Sequence, residues 1–218
     1  MNRTRVLLAD DHVILLEALK KLIESACLVV GTATDGRTLV AAAEKLRPDV
    51  IVADIHMPNL NGLEACALLM KKLPRSKIIF LTVNEDPESA EEAIRRGASG
   101  YLLKKSAATE LFKAIQSVAL GHIYITPFIS REPIGVFISR AKSHAHQEPL
   151  TARQREVLQL LAEGKSMKEA ADVLNVTPRT IAFHKYSMME HLGIKRNSEL
   201  VRYATQSGLC GEAFRSAP

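Results

Sequence analysis

Short aliphatic runs alternate with longer amphipathic stretches over the first 122 positions. The runs are Val6–Ala9, Leu28–Thr32, Val50–Ala53, Lys77–Thr82 and Gly100–Leu103, each dense in β-branched or aliphatic residues. Between and after them lie Val13–Ser25, Thr38–Leu46, Leu63–Leu73, Ser89–Arg96 and Glu110–Leu120, where apolar positions recur at helical spacing. Short unbroken apolar runs suit strands covered on both faces, and a helix between consecutive strands makes those strands parallel. The pattern predicts an α/β doubly wound domain over residues 1–122, a five-stranded parallel sheet with helices on both sides.

The pattern changes after His122. Residues 123–148 hold Pro127 and Pro133, run into Pro149, and include the polar stretch from Ala141 to Gln147. They read as a linker with one short helix around Ile129–Arg140. From Leu150 onward only helical spacing remains, giving helices near 152–162, 167–174, 178–192 and 198–207 within a small all-α domain, 149–213. Their starts are written in the sequence. Thr151-x-x-Gln154 and Ser166-x-x-Glu169 match capping boxes, and Thr177-Pro178 pairs an N-cap residue with proline at the first helical position. Gly164, Gly193 and Gly208 each follow a periodic segment, where a left-handed residue ends a helix.

Composition narrows the class without naming it. Of the 218 residues, 47% are hydrophobic and 24% charged, as in ordinary globular proteins. There is no uncharged apolar run of 18 residues, and Met1 to Arg5 leads straight into a strand-like run, so a membrane span and a secretory signal are both disfavoured. Cys27, Cys66 and Cys210 are scattered and odd in number, which speaks against a disulfide framework or a zinc site and fits a reducing cytoplasm. A net charge of +5 hints at nucleic acid.

In an open parallel sheet the ligand site lies beyond the carboxyl ends of the strands, where strand order reverses. Here those ends carry Asp10 and Asp11, Asp54, Thr82 and Lys104. With strand order 2-1-3-4-5, three carboxylates converge beside a hydroxyl and an ammonium. Unpaired carboxylates repel, so the set implies a hard divalent cation, and magnesium suits a few carboxylates with a carbonyl and waters. One carboxylate is then free to attack a phosphoryl group, with the remaining charges steadying its oxygens.

These residues, together with Asp54-Ile-His-Met-Pro58, Asn61-Gly62 and Gly97-Ala-Ser-Gly-Tyr101-Leu-Leu-Lys104, resemble the receiver domain of two-component response regulators, over about 120 residues. The resemblance implies a flavodoxin-like fold with Asp54 as phosphoacceptor. It further implies that Asp10, Asp11, Asp54 and the backbone carbonyl of His56 hold Mg2+, and that Thr82 and Tyr101 form a switch pair. Lys105 and Val83 depart from the commonest pattern, Val83 being bulkier than the frequent alanine beside the phosphoacceptor.

In the second half, the helices near 167–174 and 178–192 are joined by Asn175-Val176-Thr177, a helix-turn-helix spacing whose second helix enters the major groove. Ile181, Met188 and Leu192 share one face of that helix; Arg179, Ala182, Phe183, Tyr186 and Glu190 fall on the other. Residues 177–196 carry four basic side chains against Glu190, a net +3, whereas residues 1–122 carry sixteen basic against fifteen acidic, a net +1. Phosphate contacts would lie in the basic segment. Leu150-Thr-x-Arg-Gln-Arg-Glu156, Lys168-Glu-Ala-Ala171, Arg179-Thr-Ile181 and Glu199-Leu-Val-Arg-Tyr-Ala204 resemble the NarL/LuxR-type output domain. That resemblance implies Arg179, Thr180 and Lys195 near phosphates, and the final helix as a dimer contact. Ala182, Phe183 and Tyr186 stand where Lys, Arg or Asn often reach bases; Ala and Phe suit thymine methyls, and Tyr a phosphate or base edge.

The expectation is a phosphorylation-controlled transcription regulator, not an enzyme. It takes phosphate from a sensor histidine kinase, binds double-stranded promoter DNA as a homodimer once phosphorylated, and has no membrane partner. An aspartate-nucleophile phosphatase would commonly place a second aspartate two residues after the nucleophile, where this chain has His56. A DNA-binding protein with a vestigial receiver would be expected to have lost part of the acidic set. His144 and His146 read as solvated linker residues rather than metal ligands.

Overall fold

A computed structural model describes residues 3–129, 133–143 and 150–209 of the chain; His144, His146 and Cys210 lie outside them. Alternation along each strand divides the first domain's core into two layers. Leu7, Ala9, Ile51, Ala53, Ile78, Phe80, Tyr101 and Leu103 point to one face, and Val6, Leu8, Val50, Val52, Ile79, Leu81 and Leu102 to the other. Both faces are therefore buried, as expected of a parallel sheet with helices on both sides. The strands β1 (Arg5–Ala9), β2 (Leu28–Ala33), β3 (Val50–Asp54), β4 (Lys77–Thr82) and β5 (Gly100–Leu103) pair in parallel in the order β2-β1-β3-β4-β5. The intervening helices are α1 (Val13–Ile23), α2 (Gly36–Leu46), α3 (Gly62–Lys72), α4 (Pro87–Arg95) and α5 (Ala107–Ala119).

The sheet has six strands rather than the expected five. A two-residue strand β6 (Tyr124–Ile125) pairs in parallel with β5, Gly100 opposite Tyr124 and Tyr101 opposite Ile125. The start of the connector is thereby fixed to the first domain: Thr126 Oγ1 accepts a hydrogen bond from Leu103 N, and Ile125 and Ile129 are buried in that domain's core. Helix α6 (Ile134–Ser143) packs on α4 and buries Phe137 in the same core.

The second domain is helical: α7 (Ala152–Ala162), α8 (Met167–Leu174), α9 (Pro178–His191) and α10 (Asn197–Gln206). Both capping boxes form, and Thr177 Oγ1 accepts from Thr180 N ahead of Pro178. Gly164, Gly193 and Gly208 all take positive φ, at 83°, 67° and 67°. Val157, Leu158, Leu160, Ala171, Leu174, Ile181, Met188, Leu200 and Ala204 form the bundle core. Among the described residues no helix is long and apolar enough to cross a membrane.

Candidate functional site

The register of the sheet assembles the acidic pocket. Ala9 pairs with Ala53, so Asp10, one residue past β1, lies beside Asp54 at the end of β3. Both are buried, whereas Asp11 is exposed at the rim. Lys104 arrives from the end of β5 and places Nζ 2.8 Å from Asp10 Oδ2 and 2.9 Å from Asp54 Oδ2. Among the described residues Lys104 Nζ is the polar partner of Asp10 Oδ2, so one ammonium serves two buried carboxylates. Two buried carboxylates sharing a single ammonium, with Asp11 at the rim, leave negative charge that a hard cation would offset, so the donor set fits a metal site.

Burial raises the Asp54 pKa, and the Lys104 ammonium pulls against that rise. For Lys104, burial opposes the charge, yet the Asp54 and Asp10 carboxylates outweigh it and hold the pKa above its ordinary value. His12, which no motif or spacing singles out, closes the rim. Its Nδ1 lies 2.8 Å from Asp11 Oδ1 and 3.1 Å from Asp10 Oδ1, and Asp11 foremost raises its pKa. Asp10, Asp11 and His12 each bring one donor atom to within 4.8 Å of the others. His56 is half-buried two residues beyond Asp54, and its charge favours the ionised Asp54.

Thr82 and Tyr101 are both fully buried, the phenol turned inward. The Tyr101 hydroxyl donates to Asn84 O at 3.0 Å, and Asn84 N donates to Thr82 Oγ1 at 3.1 Å. These bonds tie the end of β4 to β5. Burial pushes the Tyr101 phenol up, so it remains a neutral donor.

The loop after Asp54 turns tightly. Asn59 takes φ 65°, and a Cβ on Gly62 would sit 2.3 Å from the Asp54 carbonyl oxygen, so only glycine fits. The helical domain docks on this loop. Gln159 of α7, 1% exposed, accepts from Asn61 N at 2.7 Å and donates to Met57 O at 2.9 Å. Glu163 accepts from Asn59 N, and Asn61 Nδ2 donates to the Gly208 and Leu209 carbonyls past α10. Around it, Arg155 Nε and Arg96 Nη1 each lie 2.6 Å from Glu64 Oε1, and Arg37 pairs with Glu156 at 3.0 Å. The sequence carried no signal for this: a polar residue inside α7 is legible as an interface residue only once the opposing surface is known.

Helix α9 lies clear of that contact. Ile181 and Met188 are buried and Leu192 half-buried, while Arg179, Phe183 and Tyr186 are exposed, Ala182 and Thr180 half-buried, and Lys195 exposed just beyond.

Two families match this chain: the response regulator receiver domain over residues 6–116, and the bacterial regulatory proteins of the luxR family over residues 148–204. The chain belongs to the response regulators with a luxR-type output domain. This response regulator is 32% identical to the transcriptional regulatory protein MctR of Rhizobium johnstonii, with 95% of each chain covered. It is 33% identical to the nitrate/nitrite response regulator protein NarL of Escherichia coli (strain K12), covering 92% of this chain and 94% of that one. Among solved structures it is similar to the Salmonella typhimurium RcsB response regulator, at 29% identity and TM-score 0.63, with 94% and 98% coverage. RcsB has also been solved as a DNA complex, to which this chain aligns with TM-score 0.58.

Proposed function

We propose that this response regulator accepts a phosphoryl group on Asp54 from a sensor histidine kinase and thereby controls the binding of its output domain to double-stranded DNA. The observation that carries the reading is the buried Asp10–Lys104–Asp54 arrangement, with both carboxylates within 2.9 Å of one ammonium. An Asp54 oxygen attacks phosphorus, the bond to the donor breaks, and the donor's imidazole leaves with the electron pair. Lys104, already between the carboxylates, moves its charge onto the new phosphoryl oxygens, and Thr82 donates to another. The buried Asp10 carboxylate and the neighbouring Asp11 suit Mg2+, with Asp54 and the His56 carbonyl completing the set. When bound, that ion neutralises charge on the transferring group.

Displacing Lys104 and Thr82 shifts the Thr82–Tyr101 pair and the loop that Gln159 holds. The output domain then leaves the receiver, and α10 is released to form a homodimer contact. Arg179, Thr180 and Lys195 meet DNA phosphates, and Ala182, Phe183 and Tyr186 face the major groove. The chain accordingly divides into a receiver (1–122), a connector (123–148) and an output domain (149–213). The test is intact-mass and peptide mass spectrometry after incubation with acetyl phosphate and magnesium. One phosphate is expected, on Asp54, blocked by EDTA and absent in Asp54→Asn. Phosphate on serine or histidine overturns the assignment.

A further inference from the structure

The recognition helix carries an exposed apolar surface that the described residues leave uncovered. Phe183 is 68% and Tyr186 60% exposed, and three residues apart they share one face of α9. Their ring contacts are with neighbours on the same helix: His184 meets Phe183 edge-on at 5.5 Å, and Lys185 Nζ lies 5.6 Å from the Tyr186 ring centre. Half-buried Ala182 borders Phe183. No carboxamide or guanidinium stands at these three positions, and Arg179 lies one turn away, in the first turn of the helix.

Bidentate reading of guanine or adenine needs paired donors or a donor and an acceptor, which Ala and Phe lack and Tyr supplies only singly. The apolar group that a base pair offers in the major groove is the thymine C5 methyl. We propose that this output domain selects DNA chiefly by packing Phe183 and Ala182 against thymine methyls, with Tyr186 adding one hydroxyl contact and Arg179 confined to phosphate. Its preferred duplexes are those that place thymines under this patch. The inference rests on the DNA-binding reading above and adds the chemistry of selection to it.

The experiment uses the full chain treated with acetyl phosphate and magnesium. Bound duplexes are recovered from a random pool, and each thymidine of the recovered site is then replaced by deoxyuridine, which pairs identically and lacks only the methyl. Each contacted methyl is expected to be worth about fourfold in affinity, the equivalent of one buried hydrocarbon group. Phe183→Ala is expected to lose that factor at the thymidine under Phe183 and to become indifferent to its replacement there, while Phe183→Leu, still apolar, keeps the discrimination. Arg179→Ala is expected to weaken all duplexes alike. Equal affinity of the wild type for thymidine and deoxyuridine duplexes overturns the proposal, as does a recovered site whose guanine preference vanishes in Arg179→Ala. Failure to bind any duplex overturns the DNA-binding reading itself, so the two failures are distinct.

Discussion

Lys104 holds the pocket together at the scale of single residues. Its ammonium is the positive group between two buried carboxylates, so removing it leaves like charges in contact. In the proposed phosphoryl transfer it senses the phosphoryl group rather than delivering it. Lys104→Ala is therefore expected to keep much of the Asp54 phosphorylation while abolishing the gain in DNA binding, checked by mass spectrometry and a binding titration on the same sample. A second residue tests burial. The Cys66 thiol is buried and pushed up to about 12 by desolvation, so it stays a protonated, unreactive thiol. Thiol titration with a disulfide reagent at pH 8 is expected to leave Cys66 unlabelled in the native chain and labelled after unfolding. The acidic residues were legible because strand ends in a doubly wound sheet converge, which places Asp10, Asp54 and Lys104 together from spacing alone. His12 was not: its contacts with Asp10 and Asp11 depend on the side-chain torsions of a rim residue, which no periodicity encodes.

At the scale of elements, helix ends carry much of the output domain's definition. Thr177 caps α9 at Thr180 N, and Thr177→Ala is expected to cost about 1 kcal/mol and lower the melting temperature of the full chain. Glu199 accepts from Lys195 N and Arg196 N at the start of α10. Those backbone bonds, with the Arg196 side chain, lower its pKa below the ordinary 4.5. A carboxylate whose pKa is lower in the folded state stabilises above its unfolded pKa, and that stability is lost as pH falls through the folded value. Melting temperature is expected to drop on acidification below about 4.5, less steeply in Glu199→Gln. Caps were readable because they depend on residue type at fixed offsets. Strand β6 was not, since two residues offer no alternation, and Tyr124 and Ile125 gain their role only by lying beside β5. The helix expected around Ile129–Arg140 runs from Ile134 to Ser143, with Phe137 buried on the receiver.

Across the whole molecule, the output domain holds the loop after Asp54. Helix α7 is buried along Val157–Leu160 because its own bundle covers one side and the receiver the other, so Gln159 sits where a core residue would. Gln159→Leu leaves Met57 O and Asn61 N without their partner, at a cost of about 1–3 kcal/mol for each buried group. Together with Glu64→Gln, which weakens the pairs to Arg155 and Arg96, it is expected to separate the domains without phosphate, seen as a larger radius of gyration in small-angle scattering. In the docked form Phe183 and Tyr186 of α9 remain exposed, so the proposed control acts on the α7 and α10 surfaces rather than on α9. The most direct measurement is a binding titration of a labelled duplex recovered by selection, using wild type and Asp54→Asn, each with and without acetyl phosphate and magnesium. A rise in wild-type affinity of about tenfold or more, roughly the lower range of allosteric coupling energies, with no change in Asp54→Asn, is the expected result. Wild-type affinity unchanged by phosphate demonstrably on Asp54 would contradict the account.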